Sequence, residues 1–158
     1  MTKEFRGDMR PKDARFAIVV SKYNDSITSK LLAGAVETLR EHEAADDAID
    51  VAWVPGAWEI PLVADRLAKT QHYAAIICLG AVIRGETTHD QHINRHVSIS
   101  LGQTSLETGV PVLMGVLTCN SLEQAINRSG GTVGNKGVEC AEAALEMVSL
   151  LRQLPSNK

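Results

Sequence analysis

The sequence has few aromatic residues, few cysteines, no excess of positive charge and no long apolar run. Its 16 Lys and Arg residues are outnumbered by 19 Asp and Glu residues. The resulting net charge of −3 argues against a nucleic-acid-binding protein, because such domains usually carry a basic face. No apolar run approaches the length of a membrane span, and residues 1–13 lack the apolar core of a signal peptide. We therefore expect a cytoplasmic protein that contacts neither nucleic acid nor membrane.

The cysteines and the chain length further narrow the class of protein. Cys78, Cys119 and Cys140 are odd in number and stand in apolar or helical contexts, which is not the pattern of a disulfide framework. We expect them to be reduced, buried thiols. A length of 158 residues with 44% hydrophobic residues is typical of one globular domain. We therefore treat residues 1–158 as a single domain.

Short apolar runs alternate with segments of helical periodicity. The runs predict strands over residues 16–20, 49–54, 74–83 and 112–117. Helices are predicted from a cap at Asn24 or Asp25, over residues 57–69 with Pro61 in the first turn, over 90–107, over a short segment that ends near Arg128, and over 137–151. This alternation predicts a three-layer α/β/α sandwich with a four-stranded parallel sheet, a flavodoxin-like fold. Residues 1–13 lie outside the pattern, as a loose arm or as a strand added to a neighbouring subunit's sheet.

The most informative segment follows the third predicted strand. Ligands of such sheets bind at the carboxyl ends of the strands. Gly85, Glu86, Thr87 and Thr88 offer main-chain N–H groups and hydroxyls at a helix start, which attracts anions. His89 stands beside them and can transfer protons near neutral pH. The alternative is an ordinary capped loop, and the carboxylate of Glu86 would have to point away from an anion.

Other strand ends also carry residues suited to a ligand. Tyr23 and Trp58 place two of the few aromatic rings there, as stacking surfaces for a planar ligand or as covers of the core. Glu59 can bind hydroxyls or serve as a charge at a helix start. Arg128 offers a guanidinium to a phosphate, or is an ordinary residue of a helix end. Lys136 is a mobile cation near the site, or simply a residue of a helix start.

Three histidines, His89, His92 and His96, share one face of the third predicted long helix. No cysteine or paired carboxylate completes a ligand set around them, so we predict no metal. We expect His92 and His96 to be ordinary surface or interface residues.

Taken together, the motifs resemble those of the lumazine synthases. The order and spacing match from about residue 16 to residue 151 in Tyr23-Asn24-Asp25, Pro55-Gly56-Ala57-Trp58-Glu59-Ile60-Pro61, Gly80-Ala81-Val82-Ile83-Arg84-Gly85, Thr88-His89, Gly115-Val116-Leu117-Thr118 and Gly134-Asn135-Lys136-Gly137. The resemblance implies condensation of a ribitylaminouracil with a dihydroxybutanone phosphate to 6,7-dimethyl-8-ribityllumazine and phosphate, the penultimate step of riboflavin synthesis. It implies no cofactor.

The resemblance also implies a role for each matching residue. In the order of the chain, these are Tyr23 stacked on the pyrimidine, Ala57, Trp58 and Glu59 along the ribityl chain, Ala81, Val82 and Ile83 on the pyrimidine edge, Glu86 and Thr87 at the phosphate, His89 as the proton-transfer group, Met114 supplied by an adjacent subunit, Arg128 as the phosphate's cation, and Lys136 near the site. The chain departs from the family after His89, where Asp90, Gln91 and His92 replace the usual aromatic, acid and aromatic.

Assembly is a further implication of the resemblance. The family forms pentamers with active sites between neighbours, some of which build a sixty-subunit icosahedral shell, and riboflavin synthase is the implied protein partner. The length of the loop from Arg128 to Gly137 permits a shell, whereas Pro11 in the arm disfavours one.

Two other functions stay open: a flavin- or lumazine-binding storage protein without catalysis, and a flavodoxin-like signalling domain. The second lacks support because no acidic cluster follows the first strand.

Overall fold

The computed structural model describes residues 1–156 and builds them around a four-stranded sheet. Its strands are β1 (Phe16–Ser21), β2 (Ile49–Val54), β3 (Ala75–Ile83) and β4 (Val112–Cys119). They lie in the order β2-β1-β3-β4, and every neighbouring pair is parallel. The α-helices of the described residues are α1 (Asp25–Glu41), α2 (Ile60–Lys69), α3 (His89–Thr108), α4 (Leu122–Asn127) and α5 (Lys136–Gln153).

Two apolar cores cover the two faces of the sheet. Successive residues of a strand point to opposite faces, so Ile18 joins the core that Leu31 of α1 and Leu145 of α5 complete. Val19 joins the other core, which lies on the side of α2 and α3 and includes Leu101 of α3. This arrangement confirms the predicted three-layer α/β/α fold.

The first helix begins at the predicted position, with Asn24 as its N-terminal cap residue, but without the expected side-chain hydrogen bond. Asn24 adopts a left-handed backbone conformation with φ 63°, and its side chain makes no capping hydrogen bond to α1. Its Nδ2 instead donates to the carbonyl of Ala81, 3.0 Å away on β3. The predicted side-chain cap is therefore wrong, because the amide ties the end of β1 to the end of β3.

The predicted helix over residues 57–69 is interrupted near its start. Residues Ala57–Glu59 form a 3₁₀ turn, and α2 begins only at Ile60. Pro61 has no N–H to donate to the carbonyl of Ala57 four residues earlier. That carbonyl accepts the N–H of Ile60 instead, which is the tighter 3₁₀ pattern.

Two other helix starts use side-chain caps, Ser121 at α4 and Asn135 at α5. The hydroxyl of Ser121 accepts the N–H of Gln124, and the side chain of Gln124 accepts the N–H of Asn120, so the two side chains satisfy backbone donors at the start of α4. Between α4 and α5 lies an unpredicted hairpin of β5 (Ser129–Gly131) and β6 (Gly134–Asn135).

The N-terminal arm lies along α5 of its own chain. The N–H of Asp8 donates to the hydroxyl of Ser149 at 3.0 Å, and Gln153 bonds both the N–H and the carbonyl of Arg6. A Cβ added at Gly7 would lie 2.1 Å from the carbonyl oxygen of Glu146. The arm therefore approaches the helix backbone as closely as it does because residue 7 has no side chain.

We expect Gly7→Ala to release the arm from α5. A methyl group at this position cannot coexist with the backbone of Glu146, so the arm must lift and lose its hydrogen bonds to the helix. Limited proteolysis should then cut the arm several times faster than in the parent protein, while Thr2→Ala leaves the rate unchanged. Equal rates for both variants would contradict this packing.

All three cysteines are free and buried, as the sequence predicted. Burial raises the pKa of the Cys140 thiol to about 11 and also raises the pKa of Cys78 and of Cys119. The thiols are therefore protonated at neutral pH and are poor nucleophiles.

Through residue 156, no helix combines the length and apolar character needed to cross a membrane.

Candidate active site

A cavity of about 690 Å³ opens at the carboxyl ends of β1, β2 and β3. Its position follows from the sheet, because the parallel strands bring their ends and the following loops to one edge. Most predicted site residues line it, namely Tyr23, Ala57, Trp58, Glu59, Ala81, Val82, Ile83, Thr87 and His89. Sequence reasoning thus located the cavity, although it could not show which side chains have local partners.

Tyr23 presents an exposed ring beside the cavity. The chain beyond β1 stays paired with the end of β2, since the N–H groups of Lys22 and Tyr23 donate to the carbonyls of Val54 and Pro55. This backbone pairing fixes the position of Tyr23 while its side chain remains 73% exposed. The ring face is therefore available to stack on a flat ligand.

The end of β3 offers backbone groups that no strand covers on one side. The pairing of β1 with β3 stops at Val20 and Leu79, whereas β4 accompanies β3 as far as Ile83. Ala81 directs its carbonyl to the β1 side, where Asn24 binds it. Along a strand, successive residues direct their backbone N–H and C=O groups to opposite neighbours, so residues two apart direct them to the same side. The N–H and C=O of Ile83 therefore also face the β1 side, beyond the end of β1. They form a donor and acceptor pair at the cavity wall.

His89 stands at the start of α3 and lines the same cavity. Its backbone N–H donates to the Thr87 hydroxyl oxygen at 3.3 Å, so the turn before the helix is closed by a side chain. A helix of this length carries a positive partial charge at its start. Glu86 lies in the exposed loop between two cavity-lining residues, but its own side chain does not line the cavity.

The turn Ala57–Glu59 forms another part of the wall. The Glu59 carboxylate already accepts the N–H of Gly56 through Oε1 at 3.1 Å, which closes the turn on itself. A carboxylate has a second oxygen, so Oε2 can still accept a ligand hydroxyl. The Trp58 ring is 52% exposed and packs against His96 with ring centroids 4.0 Å apart. His96, which we expected to be an ordinary surface or interface residue, is partly buried and contacts the cavity wall.

Besides Glu86, three predicted site residues lie outside the cavity. Met114 is on β4, an edge strand, and is 36% exposed. Arg128 follows α4 and lies beside Cys119, where it opposes the effect of burial on the thiol pKa. Lys136 is the first residue of α5. Along residues 1–156, no lysine or arginine lines the cavity.

Asp90 and Ile93 line the cavity although the sequence did not single them out as site residues. Ile93 lies four residues after His89 on α3 and so shares its helix face, which is the signal that was available, whereas the position of Asp90 next to His89 gives no such signal. One carboxylate oxygen of Asp90 and the amide oxygen of Asn94 are buried without a hydrogen-bond partner in the described structure. Between residues 1 and 156, no group of three or more His, Cys, Asp or Glu side chains is arranged to hold a metal ion.

Comparison with known protein families adds an independent result. The model of the 6,7-dimethyl-8-ribityllumazine synthase family matches residues 13–152. The match runs through all four strands of the main sheet and nearly to the end of α5. It includes every residue that lines the cavity. The chain therefore belongs to the 6,7-dimethyl-8-ribityllumazine synthase family.

Proposed function

We propose that the protein condenses 5-amino-6-(D-ribitylamino)uracil with 3,4-dihydroxy-2-butanone 4-phosphate. The products are 6,7-dimethyl-8-ribityllumazine, phosphate and water, in the penultimate step of riboflavin biosynthesis. The observation that carries the proposal is one cavity that combines the exposed ring of Tyr23, the backbone pair of Ile83 and the imidazole of His89. Family membership supports a transferase of riboflavin synthesis.

The cavity wall suits the pyrimidine substrate. A pyrimidinedione edge alternates N–H donors with C=O acceptors, which complements the N–H and C=O of Ile83. Its flat ring can stack on Tyr23, and the ribityl hydroxyls extend along Ala57–Glu59 toward the second oxygen of Glu59. In this arrangement Ala81 and Val82 support the heterocycle by contact.

The start of α3 suits the phosphate substrate. The N–H groups of the first helical turn and the hydroxyl of Thr87 can bind phosphate oxygens. An arginine fork is the strongest cationic partner for such a group, but Arg128 lies outside the cavity of its own chain. We therefore infer that a second copy supplies Arg128, Lys136 and Met114, in a pentamer or in a shell of pentamers.

The reaction requires proton transfers but no nucleophile from the protein. The amine of the pyrimidine attacks the carbonyl carbon, so the substrate supplies the nucleophile. Imine formation, loss of phosphate and ring closure each move protons, which His89 can accept and return. Binding two substrates in one orientation supplies most of the remaining acceleration.

A two-substrate assay tests the proposal directly. We expect purified protein to form the fluorescent lumazine and to release one phosphate per turnover, at a rate above the spontaneous reaction of the same substrates. A rate equal to the spontaneous one would refute catalysis. Tight riboflavin binding without turnover would instead support the storage protein, which has no use for a phosphate-binding turn beside a proton-transfer group.

Arg128→Ala should chiefly weaken binding of the phosphate substrate. Loss of a charge-assisted hydrogen bond costs roughly 1.5–3 kcal/mol, so its KM should rise roughly 10- to 100-fold. The KM of the pyrimidine substrate should change little. Arg66→Ala, which removes an exposed cation from α2, is the matched control and should leave both constants unchanged. A KM for the phosphate substrate that Arg128→Ala leaves intact would exclude this role.

A further inference from the structure

The contact between Trp58 and His96 joins the cavity wall to the middle of α3. The two rings lie at an angle of 32°, with their centroids 4.0 Å apart. The same imidazole has Nε2 3.2 Å from the backbone carbonyl oxygen of Trp58 and Nδ1 3.3 Å from the hydroxyl of Ser100. One side chain therefore holds both the ring and the backbone of Trp58.

The hydrogen-bond partners define how the imidazole is oriented. A carbonyl oxygen only accepts, so Nε2 must carry the hydrogen that it donates to Trp58. In the neutral ring Nδ1 is then the acceptor, and the hydroxyl of Ser100 donates to it. Both nitrogens of His96 are thus engaged within the chain, which leaves neither of them to a ligand.

His96 supplies a connection that the turn Ala57–Glu59 does not make with its own groups. The hydrogen bonds from Glu59 N–H to the Gly56 carbonyl and from Gly56 N–H to the Glu59 carboxylate both close the turn on itself. The bond from His96 instead crosses 38 residues of sequence and fixes the middle of the turn to a long helix. All three residues of the turn line the cavity.

We propose that His96 is a positioning residue, which holds Ala57–Glu59 in place for the polyhydroxylated chain of the pyrimidine substrate. The proposal rests on the proposed function, which assigns the ribityl chain to this turn. His96 touches no substrate atom in this role. It acts on affinity for the ligand that the turn contacts, and it leaves the phosphate site at the start of α3 untouched.

Steady-state kinetics of three variants test the positioning role. His96→Ala removes a hydrogen bond and an aromatic contact, so we expect the KM of the pyrimidine substrate to rise about 10-fold. The turnover number and the KM of the phosphate substrate should stay within about twofold, because neither depends on this turn. His96→Gln keeps an N–H donor for the Trp58 carbonyl and should recover part of the affinity. His92→Ala, one turn earlier on the same helix and exposed, should match the parent protein.

A substrate-free measurement checks the contact itself. The chain has two tryptophans, so Trp53→Phe leaves Trp58 as the only source of tryptophan fluorescence. In that background we expect His96→Ala to increase acrylamide quenching of Trp58, and His92→Ala to leave it unchanged. Unchanged quenching in His96→Ala would overturn the contact.

The outcomes separate this inference from the proposed function. A parent protein that shows no turnover refutes the proposed function, and the positioning role in that reaction falls with it. An active parent whose His96→Ala variant keeps the KM of the pyrimidine substrate overturns the positioning role alone. A variant in which both KM values rise together, or in which turnover falls tenfold, also overturns it, because His96 would then support the whole site.

Discussion

Gly137→Ala is expected to lower the free energy of unfolding by about 3 kcal/mol. The added methyl group would overpack against backbone atoms, which cannot change rotamer to make room as a side chain can. A Cβ at this position would lie 2.0 Å from the carbonyl oxygen of Leu31. Helices α1 and α5 must therefore move apart. That movement also strains the cap of α5, where Asn135 accepts the N–H of Gly137 at 2.8 Å and donates to the carbonyl of Lys30 at 3.1 Å. Urea denaturation of both proteins measures the difference.

A second helical glycine is the matched control. Gly102 in α3 has no atom of the described chain within 4 Å of an added Cβ, apart from its own helix and neighbours. Gly102→Ala should therefore stabilise the protein by roughly 0.5–1 kcal/mol, the usual gain in a helix interior. Equal stability of Gly137→Ala and the parent protein would mean that α1 and α5 are not packed as closely as described.

His89→Ala is expected to reduce turnover by roughly 100-fold, the lower range for loss of a general acid–base group. The KM values should change by less than about threefold, since the imidazole acts on protons in the transition state. The rate is measured as lumazine formation above the spontaneous reaction. Added imidazole should restore part of the activity in the variant, because a small base can occupy the space that the side chain leaves.

His92→Ala is the control for this effect, since it removes an imidazole from the same helix without altering the cavity wall. Its turnover number should equal that of the parent protein. If His89→Ala turned over as fast as the parent, proton transfer by this residue would be excluded, and Asp90 would be the next group in the cavity to test.

The fold was predictable because its signals are local. Apolar runs of β-branched residues such as Phe16–Ser21 and helical periodicity such as that of α1 depend only on neighbouring residues. The rule for parallel sheets then brought Tyr23 and His89 to one edge without knowledge of any contact. The same reasoning predicted that a helix begins beside His89, since a helix start can be recognised in the sequence.

The features that escaped prediction depend on contacts between distant residues. The amide of Asn24 binds Ala81 across 57 positions, so a capping preference could not reveal it. The contact of His96 with Trp58 spans 38 positions and depends on how α3 packs against the 3₁₀ turn. The 3₁₀ turn itself could have been predicted from the sequence, because Pro61 removes the hydrogen bond that a continuous helix requires.

The location of Arg128 and Lys136 outside their own chain's cavity has a consequence for dilute solutions. Under the proposed function, a separated subunit keeps the ring and backbone groups that bind a flat heterocycle, but it has no cation for the phosphate. Halving the protein concentration in the range where subunits dissociate should then more than halve the rate, while the separated subunit still binds the pyrimidine substrate. Turnover per subunit would report the state of association as directly as a sedimentation profile does.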